Sequence, residues 1–168
     1  FAEVAAEEPD NLNHVRNVAL TEKYLGSHFH ELGDMTRALA HYRRAHDLDA
    51  RRVRAAPDNR QAQLDLAIDI SGIGGIHENM AQYDDAVAAY LRSLEMRQRF
   101  AAEDPRDVYA QGRAAYAHYT LARVYTAMGQ LPAGLDHARR GVARVEPLVT
   151  LGDSYRLNHA IALQTLAA

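Results

Sequence analysis

The sequence predicts an all-α chain folded as a stack of antiparallel helix hairpins, and three observations carry that prediction. Pro9, Pro57 and Pro105 stand 48 residues apart in both intervals, and recurrence at a fixed period is the mark of a repeat architecture. Apolar residues recur at spacings of three and four, the helical period. The joints hold proline with Asp or Asn, and strand signals are missing.

The 48-residue step reaches well beyond the prolines. It links Ala19, Ala67 and Ala115, then Leu25, Ile73 and Leu121, then Leu32, Met80 and Met128. Further along it links Ala38, Ala86 and Gly134, and then Ala45, Ser93 and Gly141. Repeats therefore run over about 9–56, 57–104 and 105–152, and a fourth begins at Asp153, where residues 158–163 echo residues 15–20. The expected architecture is three hairpins plus a final single helix, in one repeat domain over 1–168. The chain opens on Phe1, and its last segment from Ile161 has no helix-ending signal, so it reads as a piece of a longer array.

Within the first repeat, Val15, Val18, Ala19, Leu25, Gly26, Phe29 and Leu32 fall on one helical face, so the first helix is amphipathic. Short breaks follow at Gly33-Asp34, at Ala81-Gln82-Tyr83 and at Gly129-Gln130-Leu131-Pro132, short enough to force antiparallel hairpins. The second helix carries Ala38, Tyr42, Ala45 and Leu48, whose small members allow close helix contact. Ala38→Glu should unfold this hairpin by burying an unpaired charge. Between repeats, Ala56-Pro57-Asp58-Asn59 and residues 103–107 stop one helix, and Asp or Asn is placed to cap the next.

Those residues resemble the tetratricopeptide repeat (TPR) family: Leu25-Gly26, Phe29, Gly33-Asp34, Ala38, Tyr42 and Ala45 stand at its consensus spacing. The second repeat keeps Ile73, Gly74, Tyr83, Ala86 and Tyr90, and the third keeps Leu121, Ala122, Tyr125, Gly129 and Leu131. Glu22 and His118 depart from the pattern where the family favours a large apolar residue, and His77 replaces its aromatic. The long period adds about two turns to each helix of a hairpin relative to the family's usual repeat. Long units with such joints are similar to arrays beside bacterial serine/threonine protein kinases. The resemblance implies a right-handed superhelix whose first helices line a concave, peptide-binding groove.

Carried over residue by residue, the groove positions are Lys23, Ser27 and His30 in the first repeat, and Ser71, Gly75, Glu78 and Asn79 in the second. The third supplies Tyr116, Tyr119 and Arg123. Tyrosines offer stacking area and the cations take carboxylates, which suits a protein segment with apolar and acidic groups. The alternative is that these are only solvated groove residues. The chaperone-type carboxylate clamp is disfavoured, because Ser27 and Gly75 stand where it places asparagine.

Other chemistries find little support. A net charge of −3 without a basic excess disfavours nucleic acid as the main partner. There is no cysteine, hence no thiol nucleophile or disulfide, which suits a reducing compartment, and a cytoplasmic location is expected. No apolar run is long enough to span a membrane. His28/His30 and His41/His46 miss the helical spacing of a metal pair, and no cofactor is called for. Gly72-Ile73-Gly74-Gly75 follows no strand and has His77 where a nucleotide loop needs glycine. Either Gly72 and Gly75 deepen a groove for a partner backbone, or they serve close packing against the adjacent unit or mark a locally weak helix. Asp84 and Asp85 read as helix-start charges, and Arg51, Arg52, Arg54, Arg97, Arg99, Arg139 and Arg140 as solvated cations late in second helices, with docking to an acidic partner as the alternative for these cations. Kinase motifs are missing, so no enzyme is expected. The function expected is a protein-binding scaffold, with a spacer packing on its own parent protein, or self-associating through its ends, as the alternative.

Overall fold

The computed structural model describes residues 11–147, and among these every regular element is an α-helix. In chain order they are α1 (Leu12–Glu31), α2 (Met35–Ala55), α3 (Arg60–Asn79), α4 (Tyr83–Glu103), α5 (Val108–Ala127) and α6 (Leu131–Val145). The anticipated final helix and the opening residues fall outside the described part. The chain divides into two compact units, 1–89 and 90–168, with the division falling inside α4.

Helix starts are set by the joint residues. Asn59 Oδ1 accepts from the Ala62 amide at 3.0 Å, Asp107 Oδ1 from the Ala110 amide at 2.9 Å and Asn11 Oδ1 from the Asn13 amide at 3.1 Å. Each oxygen satisfies an amide that a helix start leaves without a partner. Asp34 does the same for α2 through the Arg37 amide.

The hairpin turns share one closure. The amides of Asp34, Gln82 and Gln130 donate back to the carbonyls of Phe29, His77 and Tyr125, at 2.9, 2.9 and 2.8 Å. That closure needs a left-handed residue, and Gly33, Ala81 and Gly129 take φ of 78°, 56° and 72°. Ala81 thus holds a conformation that glycine adopts without strain.

In the N-terminal unit, adjacent antiparallel helices α1, α2 and α3 pack through small residues. Ala19, Ala38, Ala45 and Ala62 are fully buried, with Val15, Ala67, Ile70 and Ile76 beside them. The Tyr42 ring of α2 fills the space between α1 and α3. A Cβ built on Gly26 would lie 2.8 Å from its Cδ2, and one built on Gly72 would overlap its Cε1 and Cδ1. Close packing is therefore what Gly72 serves, and it offsets the cost of glycine inside a helix. Leu25 and Leu32 depart from the predicted apolar face: they are exposed, because the face that α2 covers is narrower than the apolar stripe.

We expect Gly72→Ala to lower stability by about 1–2 kcal/mol, the overpacking cost exceeding the gain in helix propensity. The ring is held against Gly26 on its other side and has no room to swing away. A thermal melt followed by circular dichroism reads the effect; an unchanged or higher midpoint would show that the ring yields.

The C-terminal unit packs α5 against α6 around Tyr119, Ala115 and Val145, with Val142 alongside. Small residues admit the aromatic here too, since a Cβ on Gly141 would overlap the Tyr119 ring. His118, the departure from the expected apolar residue, is buried. Its Nδ1 lies 3.0 Å from His137 Nδ1 and its Nε2 is 3.1 Å from Gln98 Nε2. Burial first, then the facing His137, pushes its pKa down to about 4, so it sits in the core as a neutral ring. In the other unit Glu22 is accommodated by His41, at 2.7 Å, whose ring stacks on Phe29.

Candidate protein-binding surface

The first-helix positions separate into three groups. On the N-terminal unit, Asn79 Nδ2 donates to the Gly75 carbonyl at 2.8 Å and to His30 Nε2 at 2.9 Å. Three candidate residues from α1 and α3 therefore meet on one polar patch. Ser27 is half-buried and bonds Glu31, while Ser71 and Glu78 are half-buried. On the C-terminal unit, Tyr116 is 56% exposed and Arg123 is exposed.

Two candidates are not surface groups. Tyr119 belongs to the core of its unit, its hydroxyl buried without a hydrogen-bond partner and its pKa pushed up to about 12 by burial. Helical spacing placed it beside Tyr116, but α6 offers Gly141 at just the height where its ring can enter. Lys23 is no free groove cation either. Its ammonium donates to Asp49 Oδ2 at 2.6 Å and to the Asp65 carbonyl at 3.3 Å, and lies 3.2 Å from Asp69 Oδ1.

Lys23 is one member of a buried ionic network in the N-terminal unit. Arg52 Nη1 bridges Asp49 Oδ1 at 2.5 Å and Asp65 Oδ2 at 2.8 Å, and Asp65 also accepts from Arg16 Nε at 3.1 Å and Gln61 Nε2 at 2.8 Å. Arg52 is only 3% exposed, which corrects its reading as a solvated cation: α3 presents Asp65 to it and closes over it. Arg97, 7% exposed, is corrected in the same way. Burial alone would weaken the charge of Arg52, but the bonds to Asp65 and Asp49 prevail and its pKa is raised. Burial would likewise raise Asp65, and its bonds to Arg52 and Gln61 with the nearby cations hold it low.

Asp69 behaves in the opposite way. It is fully buried, and that burial pushes its pKa up to about 9. The ammonium of Lys23 is near, but Asp49 takes its shorter bond and also repels a second negative charge. Asp49, Asp65 and Asp69 were missed in the sequence reading. For Asp65 and Asp69 the signal was present as two carboxylates four residues apart inside the apolar run from Leu64 to Ile70.

Among the described residues no group of three or more His, Asp or Glu side chains is placed to hold a metal ion, and no helix is long and apolar enough to cross a membrane. The profile described as Tetratricopeptide repeat matches residues 72–100. This stretch carries a TPR-like motif. It runs from the last turns of α3 through the Ala81 turn and along most of α4. No curated protein matches the chain.

Proposed function

We propose that the chain is a non-catalytic protein-interaction scaffold of the TPR type, which binds a peptide or helix across the surface of its first helices. The observation that carries this reading is the patch of His30, Gly75 and Asn79, where adjacent first helices join to present hydrogen-bonding groups outward. Antiparallel hairpins and the TPR-like motif support it, since stacked helix pairs build extended binding surfaces in repeat proteins. The helix starts Leu12, Arg60 and Val108 keep the 48-residue step, as do Met35, Tyr83 and Leu131, which supports one array of repeats over about 9–56, 57–104 and 105–152. The groove assignment retains Ser27, His30, Ser71, Gly75, Glu78, Asn79, Tyr116 and Arg123. A cytoplasmic setting fits a chain that carries no cysteine.

Affinity capture from the source cell's lysate, with the wild-type chain and an Asn79→Ala/Arg123→Ala variant as paired baits, tests the proposal. Both side chains are exposed, so helicity and melting should hold while a captured protein is lost or weakened by about tenfold or more. Equal recovery on both baits would remove the groove assignment and favour a spacer that packs on its parent protein, in line with the kinase-associated arrays that its long repeats resemble.

A further inference from the structure

Arg97 is a buried cation to which the protein supplies no counter-charge among the described residues. It is 7% exposed, and its two hydrogen bonds go to neutral oxygens, Ser93 Oγ at 3.2 Å and the Arg113 carbonyl at 3.4 Å. The neighbouring charge is of the same sign: Arg113 stacks over the Tyr109 ring at 4.6 Å, bonds its hydroxyl and makes no ion pair with a described carboxylate. Burial first, and then Arg113, lowers the Arg97 pKa to about 10. A buried cation in this setting is costly unless an anion meets it.

The N-terminal unit shows what such a place holds when it is complete. Arg97 and Arg113 stand 48 residues after Asp49 and Asp65, and Phe100 stands 48 after Arg52. In the earlier repeat one guanidinium bridges two carboxylates at 2.5 and 2.8 Å. In the later repeat both carboxylates have become guanidinium groups, and the bridging charge has become a phenyl ring. The charges are inverted, and no described carboxylate bridges them.

We propose that Arg97 and Arg113 form a binding site for a carboxylate side chain carried by an acidic protein segment. One planar carboxylate accepts from two guanidinium groups as Arg52 donates to two carboxylates. Tyr109 and Tyr116, 58% and 56% exposed, form an aromatic rim suited to the apolar flanks of a peptide. The site lies outside the first-helix groove positions apart from Tyr116. Only the carrier, a protein segment, rests on the scaffold reading.

The test uses the whole chain and a capped acidic peptide of Glu and Leu, its Gln counterpart, sodium acetate and inorganic phosphate. Arg97 Nε–H and the Tyr116 ring are followed by NMR, and affinity by calorimetry. The acidic peptide should shift both signals and bind at least about tenfold more tightly than its Gln counterpart, less so as salt rises. Acetate should shift Arg97 alone. Arg97→Met and Arg113→Gln should each weaken acidic-peptide binding by about tenfold or more. Arg97→Met should also raise the melting temperature of the free chain, which separates lost binding from lost folding. Asn79→Ala/Arg123→Ala should leave this binding unchanged, so failure of the groove and failure of this site are told apart. The proposal is overturned if neither acetate nor the acidic peptide moves Arg97, if both peptides bind Arg97→Met as they bind wild type, or if phosphate binds more tightly than the acidic peptide.

Discussion

Replacing Arg52 with methionine should destabilise the N-terminal unit by about 3 kcal/mol, near the lower end of the range for breaking a buried pair by removing one partner. Arg52 Nη1 holds Asp49 and Asp65 together, and the Asp49 side chain has no solvent exposure to fall back on. The loss stops short of the upper end because Asp49 keeps Lys23 at 2.6 Å, and Asp65 keeps Arg16 at 3.1 Å and Gln61. Denaturant melts of Arg52→Met, Asp49→Leu and the double variant decide the matter. The double variant should be more stable than the sum of the singles predicts, because removing both partners leaves less uncompensated charge. Simple additivity would mean that the pair does not interact in the folded chain.

Asp69→Asn should stabilise the chain at neutral and alkaline pH. The sign follows from proton counting. Asp69 holds its proton up to about pH 9 in the folded chain, while its ordinary value is 3.8. Between those values the folded state binds a proton that the unfolded state has released, so stability falls as pH rises, by up to about 1.4 kcal/mol per pH unit. Asparagine keeps the shape without that proton. The stability gap between variant and wild type should therefore be small near pH 4 and widen toward pH 8. His118 works in the other direction, since its depressed pKa costs stability as pH falls below 6.5 toward 4, but it is common to both proteins and cancels in the difference. A gap that is flat with pH would show Asp69 ionised in the fold, with Lys23 as its partner.

Several parts of this architecture needed only the sequence. Asn59 and Asp107 cap the helices that follow because a short side-chain oxygen before a helical run meets amides that nothing else satisfies. Gly33 and Gly129 close hairpins because the backbone there must turn left-handed. Ala19, Ala38 and Ala45 are buried where their period placed them. These are local effects, written within a few residues of where they act.

What only the tertiary structure decided depends on which neighbour arrives opposite a given face. Helical spacing fixes the direction of Tyr119 but not the presence of Gly141 across from it, so a residue read as groove became core. Leu25 and Leu32 show the converse, apolar residues that no helix covers. Arg52 and Lys23 carry the same local pattern as solvated cations, and burial with Asp49, Asp65 and Asp69 came from three helices meeting. Charge and periodicity are properties of one helix, whereas desolvation belongs to the assembled set, and desolvation gives Asp69 its proton and Arg97 its need for an anion.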